Sequence, residues 1–186
     1  MASLRLISTR PAPQPGGTDK QTEHPCVQTF RRELHYVIRT LRRLGVSPND
    51  VEDLAHEVFI VLFQSWEKYD PTRPLHAYLF GIAFRVAANH FRKRRREVLH
   101  AVMETSGTGP LPDQTLEANQ LRASVLRALK RVPMQRRAVL IMHDIDKLPM
   151  GEIAVSLSIH RFTGYSRLRT ARKEFAAAVS SLLGGG

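Results

Sequence analysis

Cysteine, long apolar runs and acidic residues are all scarce in this chain of 186 residues. The single cysteine, Cys26, excludes an intrachain disulfide, which is typical of proteins of the reducing cytoplasm. No segment approaches the roughly 18–20 apolar residues that span a bilayer, so we expect neither a membrane anchor nor a secretory signal. Only 17 acids stand against 28 lysines and arginines, and the net charge of +11 favours a polyanionic partner such as nucleic acid.

Two segments rich in proline, glycine and polar residues divide the chain. Residues 8–25 predict a flexible tail, and residues 105–115 have a similar composition that predicts a linker. The segments between them have helical periodicity and no strand alternation. We therefore predict an all-α protein of two small helical domains: a tail at 1–27, domains at 28–101 and 118–183, and a flexible linker at 102–117.

One acidic segment, NDVEDLAHEVF at 49–59, stands out within a stretch from 44 to 67 that has no lysine or arginine. It predicts a helix from Pro48 to Trp66, capped by Ser47 or Asn49. Its apolar face holds Val51, Leu54, Ala55, Val58 and Leu62, and Asp50, Asp53 and Glu57 lie within about 60° on a neighbouring face. Acids stabilise a helix N-terminus, but Glu57 lies two turns in. These acids therefore either solvate an outer face or contact a basic protein partner.

The following segment, at 77–98, combines aromatic and basic residues. As a helix it buries Leu79, Ile82, Ala83, Val86 and Ala87. Its other side carries Arg85, Asn89, Arg92 and Lys93, followed by Arg94, Arg95 and Arg96. Tyr78, Phe80, Phe84 and Phe91 are interleaved with these bases, an arrangement that suits stacking on unpaired nucleic-acid bases. The alternative is that the aromatics are core residues and the basic run is a solvated helix end.

The last segment predicts a helix-turn-helix. Its helices are expected at 134–144, 150–157 and 163–180, with a turn at 158–162 and Thr163 as the N-cap of the last helix. Ala154 is small at the expected helix crossing, and Leu168, Ala171 and Phe175 continue an apolar stripe. The exposed face, a candidate for contacts with DNA bases and phosphates, comprises Tyr165, Ser166, Arg167, Arg169, Thr170, Arg172 and Lys173.

These segments, in this order, resemble the extracytoplasmic-function (ECF) group of bacterial sigma factors. The pattern D-x-x-D-L-x-x-E-x-F at 50–59, with its continuation to residue 97, resembles sigma domain two, and the helix-turn-helix region resembles sigma domain four. The resemblance implies a protein that is not an enzyme, needs no cofactor or metal, binds core RNA polymerase and promoter DNA, and works in the cytoplasm, at the nucleoid when in holoenzyme. An anti-sigma factor is a further expected partner.

The resemblance also implies roles for individual residues. Docking on core polymerase, through its β′ clamp helices, falls to Asp50, Asp53, Leu54, Glu57 and Phe59, with the β flap as a second polymerase contact. Minus-ten DNA binding falls to Tyr78, Arg85, Asn89, Arg92, Lys93, Arg94, Arg95 and Arg96. Minus-thirty-five binding falls to Thr163, Tyr165, Ser166, Arg167, Arg169, Thr170, Arg172 and Lys173.

The chain departs from the family pattern at several positions. His56 stands where Gln is usual, Tyr78 where Trp is usual, and Arg85 where Asn is usual. The run from Phe162 to Arg167 replaces Gly-Thr-Val-Lys-Ser-Arg, and Ser158 replaces a turn glycine. Both promoter elements are therefore expected to be unusual in sequence.

Two other functions are compatible with parts of the chain. A stand-alone helix-turn-helix regulator accounts for residues 134–180 but leaves the acidic and aromatic-basic helices without a role. A metal sensor or metalloenzyme would rest on His24, Cys26 and His35, a set without the usual ligand spacing.

Overall fold

The computed structural model describes residues 24–101 and 117–183, and every regular element in these two ranges is helical, as predicted. The first range contains α1 (Pro25–Arg43), α2 (Val51–Gln64) and α3 (Leu75–Ala101). The second contains α4 (Glu117–Arg131), α5 (Met134–Leu140), α6 (Met150–Ser156) and α7 (Arg161–Leu183). No helix within these ranges has the length and apolarity needed to cross a membrane. Most of the predicted tail and linker lies outside the described residues.

Helix α1 begins three residues before the helical segment predicted from residue 28. Pro25 occupies the first helical position, where a missing N–H costs nothing, and His24 Nδ1 accepts a hydrogen bond from Cys26 N at 3.2 Å. The helix ends in a Schellman motif in which Val46 N donates to Leu41 O and Gly45 has φ 98°. The start was missed because histidine is not a usual N-cap signal.

Helix α2 is shorter than the predicted helix from Pro48 to Trp66. Asp50 is its N-cap residue and makes no capping hydrogen bond with its side chain; its carboxylate accepts instead from Ser47 Oγ at 2.7 Å. The C-terminal end tightens into a 3₁₀ turn at Trp66–Lys68. The predicted apolar face is confirmed, because Val51, Leu54, Ala55, Val58 and Leu62 are all buried.

Helix α3 packs on α1 and α2 through its predicted apolar face, and Leu79, Ile82, Ala83, Val86 and Ala87 are all buried. Burial of a side chain as large as Leu79 stabilises the domain by about 1.5–3 kcal/mol. Phe80 is fully buried, and Phe84 and Phe91 pack against the core. For these three aromatics the core alternative is therefore favoured. Tyr78 is half-buried against the same core, but it also lines a surface pocket and so stays a stacking candidate.

The second domain contains the predicted helix-turn-helix with shifted boundaries. The helix predicted at 134–144 is divided into α5 and a π-helical turn at Ile141–Ile145. Helix α7 begins at Arg161, so Thr163 lies in its first turn, and the prediction of Thr163 as N-cap is wrong. His160 Nδ1 accepts from Phe162 N at 3.4 Å and takes the capping role, as His24 does for α1.

The turn of the helix-turn-helix is a second Schellman motif. Ile159 N donates to Ala154 O at 2.9 Å, Ser158 N donates to Val155 O at 3.1 Å, and Ser158 has φ 53°. Serine thus adopts the left-handed conformation that favours glycine, at a cost of about 1–2 kcal/mol. The turn keeps its geometry despite the unusual residue.

We expect Ser158→Gly to raise the free energy of unfolding by about 0.5–1 kcal/mol, because glycine removes the left-handed strain but adds disorder to the unfolded chain. Urea unfolding followed by circular dichroism measures the change. Ser180→Gly, within α7, is the matched control and should lower the free energy by about 0.5 kcal/mol. Destabilisation by both variants would contradict the interpretation of the turn.

The two domains are in contact, since α3 packs against α6 and α1 against α4. Arg137, only 7% exposed, links them. Its guanidinium donates to Val132 O and Lys130 O at the end of α4, and across the contact to Leu44 O at 2.5 Å. Burial lowers the pKa of Arg137 to about 10, which leaves it charged at neutral pH.

Candidate functional site

Of the three acids predicted to dock on a basic partner, one is bound within the chain and two are unpaired. Asp50 Oδ2 lies 3.1 Å from Arg94 NH1 and 3.4 Å from His90 Nε2, so it joins the start of α2 to the basic end of α3. Asp53 and Glu57 are exposed and have no ion-pair partner among the described side chains. These two carboxylates are therefore available to an external basic surface.

The apolar neighbours of these acids differ from the prediction. Leu54 is 3% exposed and belongs to the core, because it lies on the inner face of α2, so it supports the helix and cannot contact a partner directly. Phe59 is half-buried against Phe30, with ring centroids 4.9 Å apart. Ile60, which sequence reasoning missed, is 52% exposed and lies about 20° from Asp53 on the helical wheel, on the side away from Glu57. Ile60 follows Asp53 by seven residues and Glu57 by three, spacings that place residues on the same side of a helix, so the sequence could have identified it. We name Asp53, Glu57 and Ile60 the acidic face.

Three aromatic rings form a ladder from the end of α2 to the start of α3. Trp66 and Tyr69 have ring centroids 5.7 Å apart, and Tyr69 and Tyr78 have centroids 5.1 Å apart. Tyr78 Oη donates hydrogen bonds to Ser65, whose Oγ and carbonyl oxygen lie at 2.8 Å and 3.0 Å. These bonds hold the Tyr78 ring in place. Tyr69 is a second ring that the sequence analysis did not nominate.

A pocket lies beside this ladder, and we call it the aromatic pocket. Tyr69 and Tyr78 line it together with the cationic residues Lys68, Arg73 and Arg85. The combination of ring faces with nearby cations can bind an unpaired base and its phosphates. Residues of α6, including Glu152, Val155 and Ser156, close the other side.

The basic end of α3 is exposed from Arg92 to Arg96, as predicted. Part of it is engaged within the chain: Arg92 donates to Asn89 Oδ1 at 3.0 Å, and Arg94 is paired with Asp50. Arg95 and Arg96 have no ion pair with any side chain that the structure describes. This surface suits phosphate contacts, which carry no sequence information.

Helix α7 presents most of its predicted DNA face to solvent. Gly164, in its first turn, is buried, and a Cβ there would lie 2.5 Å from Met150 Sδ, so glycine permits the close crossing of α6 and α7. The exposed members are Thr163, Tyr165, Ser166, Arg169, Thr170, Arg172 and Lys173. Phe162, absent from the predicted set, is 78% exposed and stacks on His160 with centroids 5.3 Å apart.

Two arginines of this face are held by neighbours. Arg172 forms a bidentate ion pair with Asp144, at 2.7 Å and 2.8 Å. The hydrogen bonds from Arg172 and, to a lesser extent, from His143 lower the pKa of Asp144 to about 2. Arg167 is half-buried and donates to Gln135 Oε1 at 3.0 Å. Arg169 has no such partner within the described ranges and is the arginine best placed to reach DNA.

The fold and these surfaces define a two-domain helix-turn-helix protein whose exposed basic surfaces suit nucleic acid and whose exposed acids lie on a separate helix face. No cluster of residues within the described ranges has the composition of a metal site. Residues 29–97 match the model of Sigma-70 region 2, and residues 122–175 match the model of Sigma-70, region 4. The chain belongs to the sigma-70 family, in its extracytoplasmic-function group.

Individual relatives agree with this assignment. The chain is 28% identical over 151 residues to the ECF RNA polymerase sigma factor SigE of Mycolicibacterium smegmatis, covering 79% of this chain and 58% of SigE. It is 25% identical to the RNA polymerase sigma factor CnrH of Cupriavidus metallidurans, covering 75% of this chain and 78% of CnrH.

Solved structures share the fold. CnrH in complex with the cytosolic domain of CnrY has a TM-score of 0.58 and 19% identity, covering 84% of this chain and 88% of CnrH. The sigma factor RpoE in complex with the anti-sigma factor NepR from Bartonella quintana has a TM-score of 0.63 and 21% identity, covering 82% of this chain and 98% of the matched chain.

Proposed function

We propose that this chain is an alternative sigma factor that binds core RNA polymerase and directs transcription initiation from a distinct set of promoters. The observation that carries the proposal is the separation of charge: an unpaired acidic face on α2 and two basic, DNA-compatible surfaces on α3 and α7. Oppositely charged surfaces on separate faces allow one small protein to bind an enzyme and DNA at once.

Each surface has an assigned partner. The acidic face docks on the β′ clamp helices, and the second domain contacts the β flap. The aromatic pocket captures an unpaired minus-ten base between Tyr78 and the cations that surround it, while Arg95 and Arg96 hold phosphates. The exposed side of α7 recognises the minus-thirty-five element with Arg169, Tyr165 and Ser166 at its centre.

Promoter melting in this scheme requires no covalent chemistry. Unstacking a base costs a few kcal/mol, and stacking on an aromatic ring returns about 1–3 kcal/mol per base. Captured bases therefore stabilise the open state without a catalytic group or cofactor, and we infer that the protein is not an enzyme. A sigma factor acts where polymerase and promoter are, which is the cytoplasm and the nucleoid. An anti-sigma factor is the expected regulatory partner.

Arginine variants of α7 test the minus-thirty-five surface. If Arg169 reads a base, we expect Arg169→Ala to lower promoter affinity by about 1–3 kcal/mol and to relax specificity at one base pair. If it contacts a phosphate, we expect lower affinity for all sequences and a slope of log affinity against log salt that is reduced by about one. Arg167→Ala should also lower promoter affinity, because Arg167, which donates to Gln135, lies on the same side of α7. Arg172→Ala is the matched control with a smaller effect, because Asp144 already holds its guanidinium. Normal transcription by Arg169→Ala from a promoter that depends on this element would contradict the assignment.

The whole proposal is tested by in vitro transcription with purified core polymerase over a library of promoter fragments. We expect transcripts from a small subset that begin at fixed distances from two separated sequence elements. A stand-alone regulator would instead form a site-specific complex with duplex DNA without polymerase and would give no transcript.

A further inference from the structure

The outer face of α1 carries basic side chains that the sequence analysis did not consider. At about 100° per residue, they fall within a sector of about 80°. Val37 and Leu41, which are buried, lie on the opposite side of the helix. The α1 stripe, as we name this sector, consists of four exposed residues: Arg32, His35, Arg39 and Arg42. Arg31 is exposed at its edge.

Charges of one sign crowd this face. Glu33, the one acid of α1, lies off the stripe, where it pairs with Arg32 at 3.0 Å and with His76 at 3.0 Å. Arg39 and Arg42 have no ion pair with any described side chain. They are three residues apart, a spacing at which like charges destabilise a helix. The helix dipole favours Arg42 in the last turn but gives Arg39 no such support. The described residues therefore supply this half of the stripe with no counter-charge.

The stripe begins beside the aromatic ladder. At the start of α1, the centroid of the His24 ring lies 6.4 Å from the centroid of the Trp66 ring. Burial raises the pKa of Tyr69, and the charge of Arg32 acts in the opposite direction, so Arg32 lies close enough to influence the ladder. From Arg32 the stripe runs toward the C-terminal end of α1, where Arg42 ends it.

We propose that the α1 stripe binds phosphates of the single strand whose base the aromatic pocket captures, so that the path of the strand continues from the pocket along α1. The proposal rests on the proposed function for the role of the pocket. From Arg32 to Arg42 the helix rises about 15 Å, and one strand of duplex DNA carries a phosphate every 3.4 Å or about that distance. The stripe is therefore long enough for about four nucleotides of a stacked strand.

The position of the stripe favours a nucleic-acid strand over an acidic protein as its occupant. A strand with a base in the aromatic pocket has to leave the pocket again, and the nucleotides next to a captured base are unpaired as well. Arginines bind phosphates whatever the base sequence. The stripe therefore adds affinity and salt dependence to the capture of the strand without adding promoter specificity.

The salt dependence of single-strand binding tests the stripe. The probe is a fluorescent single-stranded DNA 12-mer of randomised sequence, and its binding to the full-length chain is followed by anisotropy. Each phosphate contact adds about 0.7 to the slope of log affinity against log salt on a single strand. We expect the Arg39→Gln, Arg42→Gln variant to reduce that slope by about 1.4, and to lower the affinity in about 0.1 M salt at least about tenfold.

The matched control removes the same charge from another exposed helix face. Arg122 and Arg127 are exposed on α4 and belong to no surface that is proposed to bind DNA. The Arg122→Gln, Arg127→Gln variant should bind the 12-mer within about twofold of the original chain, because salt screens charges beyond about 10 Å. Circular dichroism should show the same helix content for both double variants, since all four side chains are exposed.

A scan of neutral linkages locates the strand in the open complex. Single methylphosphonate linkages are placed along one strand of a premelted bubble template, which is transcribed by core polymerase with this chain. We expect a few consecutive linkages beside the minus-ten base to lower open-complex formation by about fivefold each. The Arg39→Gln, Arg42→Gln variant should be insensitive to about two of these linkages, because the contacts that they remove are already absent.

The outcomes separate the stripe from the proposed function. Equal slopes for the two double variants would overturn the stripe and leave the proposed function intact, since the promoter library tests the latter. A larger slope change on a duplex 12-mer than on the single strand would overturn the single-strand path in favour of duplex DNA. Unchanged slopes with a weakened pull-down of core polymerase would overturn it in favour of an acidic protein surface. The expected slopes from a chain that yields no transcript would support the phosphate contacts and contradict the proposed function.

Discussion

Replacing Asp53 and Glu57 by arginine is expected to abolish binding to core RNA polymerase, with a loss of at least about 100-fold. Both carboxylates are exposed and unpaired within the described residues, so reversal of their charges places repulsion where attraction is proposed. Close charge pairs at interfaces contribute about 1.5–7 kcal/mol, and 100-fold corresponds to about 2.7 kcal/mol. Pull-down with core polymerase, followed by a titration, measures the loss.

The matched control is Glu52→Arg, which changes an exposed acid on another side of the same helix turn. It should retain binding within about threefold and share any small cost to the helix N-terminus. Circular dichroism and urea unfolding of both variants should show a preserved fold, because the core face of α2 is untouched. Retained affinity of the Asp53→Arg, Glu57→Arg variant would exclude the acidic face as the docking surface.

The second large effect is expected at promoter opening. Tyr78→Ala and Arg85→Ala should reduce transcription from a duplex promoter strongly, and a template with a premelted minus-ten bubble should restore it. Duplex DNA hides the faces of its bases, so a stacking residue gains its partner only after the strands separate. Loss of one stacked base costs about 1–3 kcal/mol, or about 5–150-fold in open complex.

Two further variants distinguish stacking from other roles. Tyr78→Phe loses the hydrogen bonds to Ser65 but keeps the ring, which also packs against Tyr69, so it should retain most of the opening activity. The triple change of Arg94, Arg95 and Arg96 to Ala should weaken binding to duplex and bubble alike, because phosphates are present in both. Equal defects of Tyr78→Ala on the two templates would contradict the melting role and leave Tyr78 as a structural aromatic.

Local patterns in the sequence were sufficient for the helices and for the faces that they bury. The period of apolar residues in α2 and α3 predicted which side chains are buried, because a helix repeats every 3.6 residues wherever it is placed. They were less reliable at helix ends. His24 and His160 act as N-caps, a position at which Ser, Thr, Asp or Asn is usual. Ser158 takes the left-handed conformation at the end of a helix, a position at which Gly is usual.

The state of individual site residues depended on contacts between distant segments. Asp50 appeared equivalent to Asp53 on the helical wheel, yet Arg94, 44 residues away, holds it. Arg172 appeared equivalent to Arg169, yet Asp144 pairs with it. A sequence period specifies the side of a helix on which a residue lies but not which charged group another helix brings to it.

The sequence by itself determined the class of this protein: the helical segments, the acidic motif at 50–59, the aromatic-basic helix and the helix-turn-helix. Those features depend on residues within a few turns of one another. Only the tertiary structure decided that Glu152 covers the aromatic pocket through Arg73, 79 residues earlier, and that Asp146 binds Tyr36 across 110 residues. The physical reason is that such contacts depend on how separately formed helices pack, and packing is set by the whole set of buried side chains together.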